Sequence, residues 1–316
     1  MVDKIVTAMG MAGGNAPTSV LSEITPAPPT GPEHDLAVSP FSIGGAASPN
    51  SKTTKSFVVK GPLTANVHVY GGGGSGPVPN SGAASGGHGG KVLGTYTFQP
   101  GITYHMTAAG SGKAAPSGAH GSGGGGSSAV WQEPEAAGQE IFVAGGGGGG
   151  GGGTAGVNGT GALSGAPSPW PSLRGERGGA VTPTTGGRAG VGRRTGDPGG
   201  DAPRGEGGHG TDIGIPAPGG NGGGSDYSIG GNGGVAPGDG GGGGGGGGYA
   251  GGGGGNNDSG GSAGAGGNGY YHPEVLNGFG AESGPTPLGG QGVFSGDPAT
   301  SGQRTYAGSV IFKLET

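Results

Sequence analysis

The stretch that decides the architecture of this 316-residue chain reads EIFVAGGGGGGGGG, residues 140–153. An apolar segment typical of a β-strand passes directly into nine consecutive glycines, and a second run of nine covers residues 240–248. Glycine loses more backbone entropy on ordering than any other residue, so a glycine run is by default a flexible linker. A strand that leads straight into such a run predicts instead that both belong to one folded unit.

The composition excludes an ordinary globular enzyme. The chain has 95 glycines and 26 prolines, with 29% apolar and 10% charged residues, whereas typical domains have roughly 45–50% and about 25%. The absence of cysteine excludes a disulfide scaffold, a thiolate zinc site and a cysteine nucleophile. Because no apolar run has signal-peptide or membrane-spanning length, we expect a protein made in a reducing compartment and not inserted in a membrane. The net charge of −5 argues against nucleic acid as a partner.

Apolar residues alternate with period two between residues 55 and 143, which predicts half-buried strands. The predicted strands cover residues 56–59, 64–69, 92–98, 102–107, 129–131, 140–143 and, far along the chain, 310–314. Gln99-Pro100-Gly101 predicts a turn that makes residues 92–108 a hairpin. We predict a small antiparallel β-sandwich from residues 55–143 plus 301–316, closed across the glycine region.

Residues 144–300 are predicted to form a bundle of polyglycine-II helices, to which residues 71–90 and 110–127 contribute. Such a helix has three residues per turn and no internal hydrogen bonds, so its N–H and C=O groups must bond to neighbouring helices. Only glycine lets the backbones approach closely enough, which places Gly149 and Gly244 in the interior. Stretches 211–218 and 268–287 are predicted turns. The fold class is therefore all-β or irregular, with little or no α-helix.

Residues 1–54 are rich in Ser, Thr and Pro and have no sustained apolar period. We interpret them as an extended arm that docks on a partner or on a symmetry mate. The alternative is a disordered tail.

The sequence contains no complete motif for phosphate binding, metal binding or catalysis. Residues 110–114, with Lys113, match a phosphate loop only in part, because Ala114 stands where Ser or Thr is needed. The seven histidines lack metal-ligand spacing, and the acids form no calcium loop. We expect a non-enzymatic protein without metal or cofactor.

Several strings together resemble a known glycine-rich domain. They are Phe57 with Val67, residues 71–74, 86–90, 95–101 and 121–126, and Phe142-Val143-Ala144 before nine glycines. The chain resembles the glycine-rich domain of bacteriophage tail and fibre proteins and of the anaplastic lymphoma kinase receptor family, and the polyglycine-II sandwich of phage tail-fibre-tip adhesins is similar in composition. The resemblance implies a virion protein assembled in the host cytoplasm.

One segment combines an aromatic residue with many arginines, and the stretch that follows it is acidic. Residues 205–303 contain no Lys or Arg but eight acids. Arginine binds phosphate and carboxylate in a bidentate fashion, so the arginine segment is the predicted binding site for a host-surface glycan or outer-membrane protein. The alternative is that these arginines pair with the acids that follow. The predicted ligand-binding residues are Trp170, Arg174, Arg177, Arg188, Arg193 and Arg194.

The sequence leaves three functions open. The favoured one is a tail-fibre or spike component that mediates host adhesion and is mounted on other virion proteins through the arm. The second is a capsid or tail decoration protein without receptor binding, and the third an ice-binding or other extracellular glycine-rich structural protein.

Overall fold

The computed structural model describes residues 41–44, 52–75, 86–113, 121–133, 139–151, 230, 241–255, 264–282 and 307–314. These residues contain no helix, and their ten strands form two five-stranded sheets in which every pair is antiparallel. The predicted all-β fold with little α-helix is confirmed.

The two sheets divide the strands between them. The first sheet has the order β1-β10-β3-β4-β9 and the second has the order β2-β5-β6-β7-β8. The strands are β1 Phe41–Gly44, β2 Lys52–Val58, β3 Leu63–Tyr70, β4 Gly90–Phe98, β5 Thr103–Ala109, β6 Ser128–Gln132, β7 Glu140–Ala144, β8 Tyr270–Tyr271, β9 Leu276–Glu282 and β10 Ser309–Leu314.

A cluster of aromatic rings forms the centre of the core between the sheets. The Phe57 ring lies 5.5 Å from those of Phe98 and Tyr104 and 5.4 Å from that of Phe312, measured between centroids. All four side chains are fully buried. Buried aromatic pairs at these separations each add about 0.5–1.5 kcal/mol beyond the burial of their area, so this cluster holds the two sheets together.

The predicted hairpin over residues 92–108 is wrong, because β4 and β5 belong to different sheets. The turn itself is present: Gly101 has a φ of 79°, which favours glycine. The chain arches around the core there, with the Phe98 and Tyr104 rings 4.9 Å apart and the Gln99 N–H donating to the Tyr104 hydroxyl at 2.8 Å. Alternation shows which face of a strand is buried but not which strand pairs with it.

The sandwich is larger than the sequence predicts. Strand β1 lies within the stretch assigned to the arm, and it pairs with β10 from Phe41↔Phe312 to Gly44↔Ser309. Strands β8 and β9 lie within residues 268–287, for which the sequence predicts turns. All three are edge strands or very short, so few apolar residues mark them, and glycines interrupt the pattern of β9.

The described part of the chain contains eight glycine-rich segments outside the strands, numbered here in chain order. They cover residues 71–75, 86–89, 110–113, 121–127, 145–151, 241–248, 251–255 and 264–269. Six of them directly follow or precede strands β3 to β8 at one common end of the sandwich. The sixth and seventh segments are joined to each other through Tyr249 and Ala250, and all eight pack together into a glycine lattice.

Candidate functional site

The fifth glycine segment lies at the centre of the lattice, and its bonding partners repeat every three residues. The N–H groups of Gly146 and Gly149 donate to the sixth segment, to Gly247 and Gly244, both at 2.7 Å. The N–H groups of Gly147 and Gly150 donate to the carbonyls of Gly72 and Ser75 in the first segment, both at 2.9 Å. Each carbonyl from Gly145 to Gly150 accepts a bond of 2.7–3.0 Å from another part of the chain. The donor–acceptor pairs are Gly90–Gly145, Gly267–Gly146, Gly125–Gly147, Gly87–Gly148, Gly264–Gly149 and Ser122–Gly150. This segment therefore bonds to five neighbours with the three-residue period of polyglycine II.

Glycine is needed here because of close approach, not because of an unusual φ. Gly101 is the one described glycine with a positive φ. An added Cβ on Gly149 would overlap the carbonyl oxygen of Ser122, and one on Gly146 would overlap that of Gly125. The α-hydrogens therefore point at carbonyl oxygens of adjacent segments, in the geometry of Cα–H···O contacts, worth about 0.5–1 kcal/mol each. Gly149 and Gly244 are buried.

The molecule has two different ends. Odd-numbered glycine segments run away from the sandwich and even-numbered ones run back, as the reversed pairing of Gly146 and Gly149 with Gly247 and Gly244 illustrates. The fifth segment alone extends about 19 Å at a rise of about 3.1 Å per residue. The opposite end of the sandwich, here called the base, holds the turns after β2, β4 and β8, the start of β1 and the end of β10.

The predicted ligand-binding residues Trp170, Arg174, Arg177, Arg188, Arg193 and Arg194 lie outside the described residues. The structure does describe the glycines that flank this stretch. Gly151 is the last described residue of the fifth segment, and Gly230 is buried, where an added Cβ would overlap the Gly124 carbonyl oxygen. The arginine-bearing stretch is thus attached to the lattice on both sides.

The outer face of the second sheet carries an aromatic cluster that the sequence patterns do not predict. Trp131 packs with Ala129 and Val143, and Tyr249 and Tyr270 lie against them. The two tyrosine rings stack with centroids 4.3 Å apart and 9° between planes. Burial, followed by the nearby carboxyl group of Glu140, raises the pKa of Tyr249. Burial also raises the pKa of Tyr270, with smaller contributions from Tyr249 and Glu140. The cluster fastens the sixth and eighth glycine segments to the sheet.

A serine, a histidine and a glutamate form a hydrogen-bonded chain on the same face. The Ser56 hydroxyl bonds to His105 Nδ1 at 2.8 Å, and His105 Nε2 bonds to Glu133 Oε1 at 3.1 Å. The imidazole stacks on the Trp131 indole at 5.1 Å. Ser56 and His105 are directly opposed on paired strands. We therefore interpret these hydrogen bonds as cross-strand contacts that stabilise the sheet.

The outer face of the first sheet carries exposed apolar groups. Leu276 and Phe279 on edge strand β9 are 65% and 51% exposed. The Lys91 ammonium lies 5.8 Å from the centroid of the Phe279 ring, within the range of a cation–π contact. No sequence signal marks these residues, because glycines separate them from other apolar positions.

The described residues hold no group of three or more His, Asp or Glu side chains that could bind a metal ion, and they hold no helix long and apolar enough to cross a membrane. No protein-family model and no curated protein matches the chain.

Proposed function

We propose that this protein is a non-enzymatic structural component of a phage virion, a tail-fibre or spike protein that adheres to the host surface. The observation that carries the proposal is the polarity of the fold. Four glycine segments end and four begin at the end of the lattice farthest from the sandwich, while β1 starts and β10 ends at the base. A protein with this polarity can be mounted at one end and can present chain at the other.

A glycine lattice suits such a platform for a physical reason. Its segments are fixed by backbone bonds on several sides, so the ends that carry the presented stretches are held in place without side-chain packing. Binding then loses less conformational freedom than it would with a flexible support. The arginine-bearing stretch joins the lattice at Gly151 and Gly230, which favours it as the contact with anionic glycans or outer-membrane proteins.

The base is the proposed mounting end. Residues 1–40 reach the sandwich at Phe41, the base end of β1, so an arm that docks on other virion proteins would leave the lattice end free. The overall negative charge and the lack of cysteine suit a protein assembled in the host cytoplasm and carried on the virion.

The test compares binding to bacterial cells. Labelled full-length protein is added to a panel of bacterial strains and measured by flow cytometry, with purified lipopolysaccharide and inorganic phosphate as competitors. The triple variant Trp170→Ala, Arg174→Ala, Arg177→Ala should lose binding and keep its melting temperature. Lost stability with retained binding would assign these residues to intramolecular pairing. Absence of binding across the panel would contradict adhesion and favour a decoration protein.

A further inference from the structure

The outer faces of the two sheets differ in how far they are covered. On the second sheet, Tyr249 and Tyr270 lie against the apolar side chains. On the first sheet a row of directly opposed residues crosses β10, β3, β4 and β9, and each of them is at least partly exposed. The row is Ile311, His68, Leu93 and Phe279. Leu276, beside the row on β9, is also exposed, so this face offers a flat apolar surface to a ligand.

Positive charge borders the row at two separate points. The Lys91 ammonium lies over the Phe279 ring, and Lys313 is exposed on β10. Burial, and then Lys313 and Lys91, lower the pKa of His68, so both charges act in the middle of the row. The one acidic residue in the described strands of this sheet is Glu282, the last residue of β9. The charge on this face therefore favours an anionic ligand.

The spacing of the two lysines sets the size of that ligand. Lys313 opposes Asn66 and Lys91 opposes Tyr70, so the lysines are two strands apart and offset by four residues. With about 4.8 Å between strands and about 3.4 Å per residue, their α-carbons are about 17 Å apart. The Lys91 ammonium is directed further away, towards β9. One small anion cannot contact both lysines, so the ligand must be a chain that carries several negative charges.

Hydroxyl groups on both sides of the row have hydrogen-bonding sites left. The Thr64 and Thr97 hydroxyls bond to each other at 2.9 Å in an exposed position, and the Tyr70 hydroxyl lies 3.4 Å from His68 Nδ1. Each hydroxyl has one donor and two acceptor sites, so these bonds leave sites for a ligand. A ligand that fits must combine apolar surface, hydrogen-bonding groups and spaced negative charges.

We propose that the outer face of the first sheet binds a polysaccharide that contains uronic acids. The apolar C–H face of a sugar ring packs on Phe279 and Leu276, its hydroxyls bond to the threonine and tyrosine hydroxyls, and carboxylates along the chain contact Lys91 and Lys313. An extended peptide fits less well, because it recognises a sheet edge through main-chain bonds, and the main chain inside a sheet is already paired. Nucleic acid is disfavoured by the net charge of −5 and by the absence of arginine from the described residues.

Isothermal titration calorimetry of the full-length protein with oligogalacturonate tests the site. Two further ligands separate the contributions: the fully methyl-esterified oligomer keeps the sugar rings without the charges, and polyglutamate keeps the charges without the rings. We expect oligogalacturonate to bind about tenfold more tightly than either. Failure of oligogalacturonate to bind overturns the proposal. Equal affinity for polyglutamate, which would indicate an acidic peptide as the ligand, or equal affinity for the methyl ester overturns it too.

Variants on the face locate the binding. Lys91→Gln and Lys313→Gln should each weaken the affinity for oligogalacturonate about two- to fivefold, the effect of losing one exposed ion pair. Phe279→Ala should weaken it about fivefold through lost apolar contact. Lys55→Gln is the matched control, since Lys55 is also an exposed lysine on a strand but lies on the second sheet, and it should bind as the wild type does. A loss with Lys55→Gln equal to that of the other lysine variants would refute a site on this face.

His68 gives an independent signal from the centre of the row. Burial and the two lysines lower its pKa, so bound carboxylates should raise that pKa, and the methyl ester should leave it unchanged. NMR titration of the imidazole, with and without saturating oligogalacturonate, measures the shift. An unchanged titration at saturation would place the ligand elsewhere, for instance on the arginine-bearing stretch, and would overturn the proposal. No host cell enters these tests, so their failure leaves the adhesion proposal as it stands.

Discussion

The sharpest consequence of the lattice concerns a single methyl group at Gly149. A Cβ there would overlap the Ser122 carbonyl oxygen, and the next atoms it would meet are also backbone, from Gly123. No side chain can rotate away, so the fourth and fifth glycine segments must separate. In a flexible linker the same change would be neutral or stabilising, because alanine restricts the unfolded chain.

The magnitude follows from the bonds that join these two segments. The Ser122 N–H donates to the Gly150 carbonyl at 2.9 Å, and the Gly125 N–H donates to the Gly147 carbonyl at 2.8 Å. Losing two net hydrogen bonds costs about 2 kcal/mol, and the displaced Cα–H···O contact costs about 0.5–1 kcal/mol more. The entropic benefit of alanine, about 0.4–1 kcal/mol, opposes this. We expect a net loss of about 2 kcal/mol, which lowers the melting temperature by about 3 °C for a chain of 316 residues.

Differential scanning calorimetry of Gly149→Ala measures this shift, and Gly61→Ala is the matched control. Gly61 lies in the turn between β2 and β3, is exposed, and has no atom within 4 Å of its ideal Cβ position. Its replacement should leave the melting temperature unchanged or raise it slightly. Gly244→Ala should resemble Gly149→Ala, since the Gly244 N–H and carbonyl are both bonded in the lattice. Melting temperatures for Gly149→Ala and Gly61→Ala that agree within error would refute the close-packed lattice.

Three further predictions concern the sandwich and its attachments. Burial, followed by Tyr104 and Glu274, raises the pKa of Tyr96 to about 12 from the usual 10.0. The protonated phenol therefore contributes about 2–3 kcal/mol of folding stability below pH 10, and this contribution should be lost as the pH rises towards 12. Urea titrations should give Tyr96→Phe a flatter dependence of stability on pH than the wild type. Tyr249→Ala removes the stacking partner of Tyr270 and should destabilise the protein by about 1–2 kcal/mol, with a change in tryptophan emission as Trp131 becomes exposed; Tyr249→Phe, which keeps the ring, should leave both unchanged. A protein lacking residues 1–30 should keep its melting temperature but fail to be incorporated into particles. A protein that starts at Ser51 also lacks β1 and should have a lower melting temperature. Normal incorporation of the first truncation would show that these residues do not dock on other virion proteins.

Sequence alone determined the local character of each segment. Period-two alternation, as at Ala65, Val67 and Val69, marks a strand whose buried face is visible in the letters, and all three residues are fully buried. Nine consecutive glycines next to a strand indicate close backbone packing because no other residue could be tolerated there. Both signals are local, since each depends on what a residue's own side chain, or its absence, permits.

Only the tertiary structure decided which segments meet. Whether residues 92–108 form a hairpin or an arch depends on whether Phe98 and Tyr104 face each other across the core, and alternation is the same in both cases. Tyr249 and Tyr270 are twenty-one positions apart in sequence, yet they stack because the lattice returns both to the second sheet. Strand β9, whose glycines hide the alternation of a strand, pairs with β4 from Gly90↔Glu282 to Thr95↔Leu276. Glycine backbones carry no side chain to specify a neighbour, so the sandwich, which fixes where each glycine segment starts, determines the partners in the lattice.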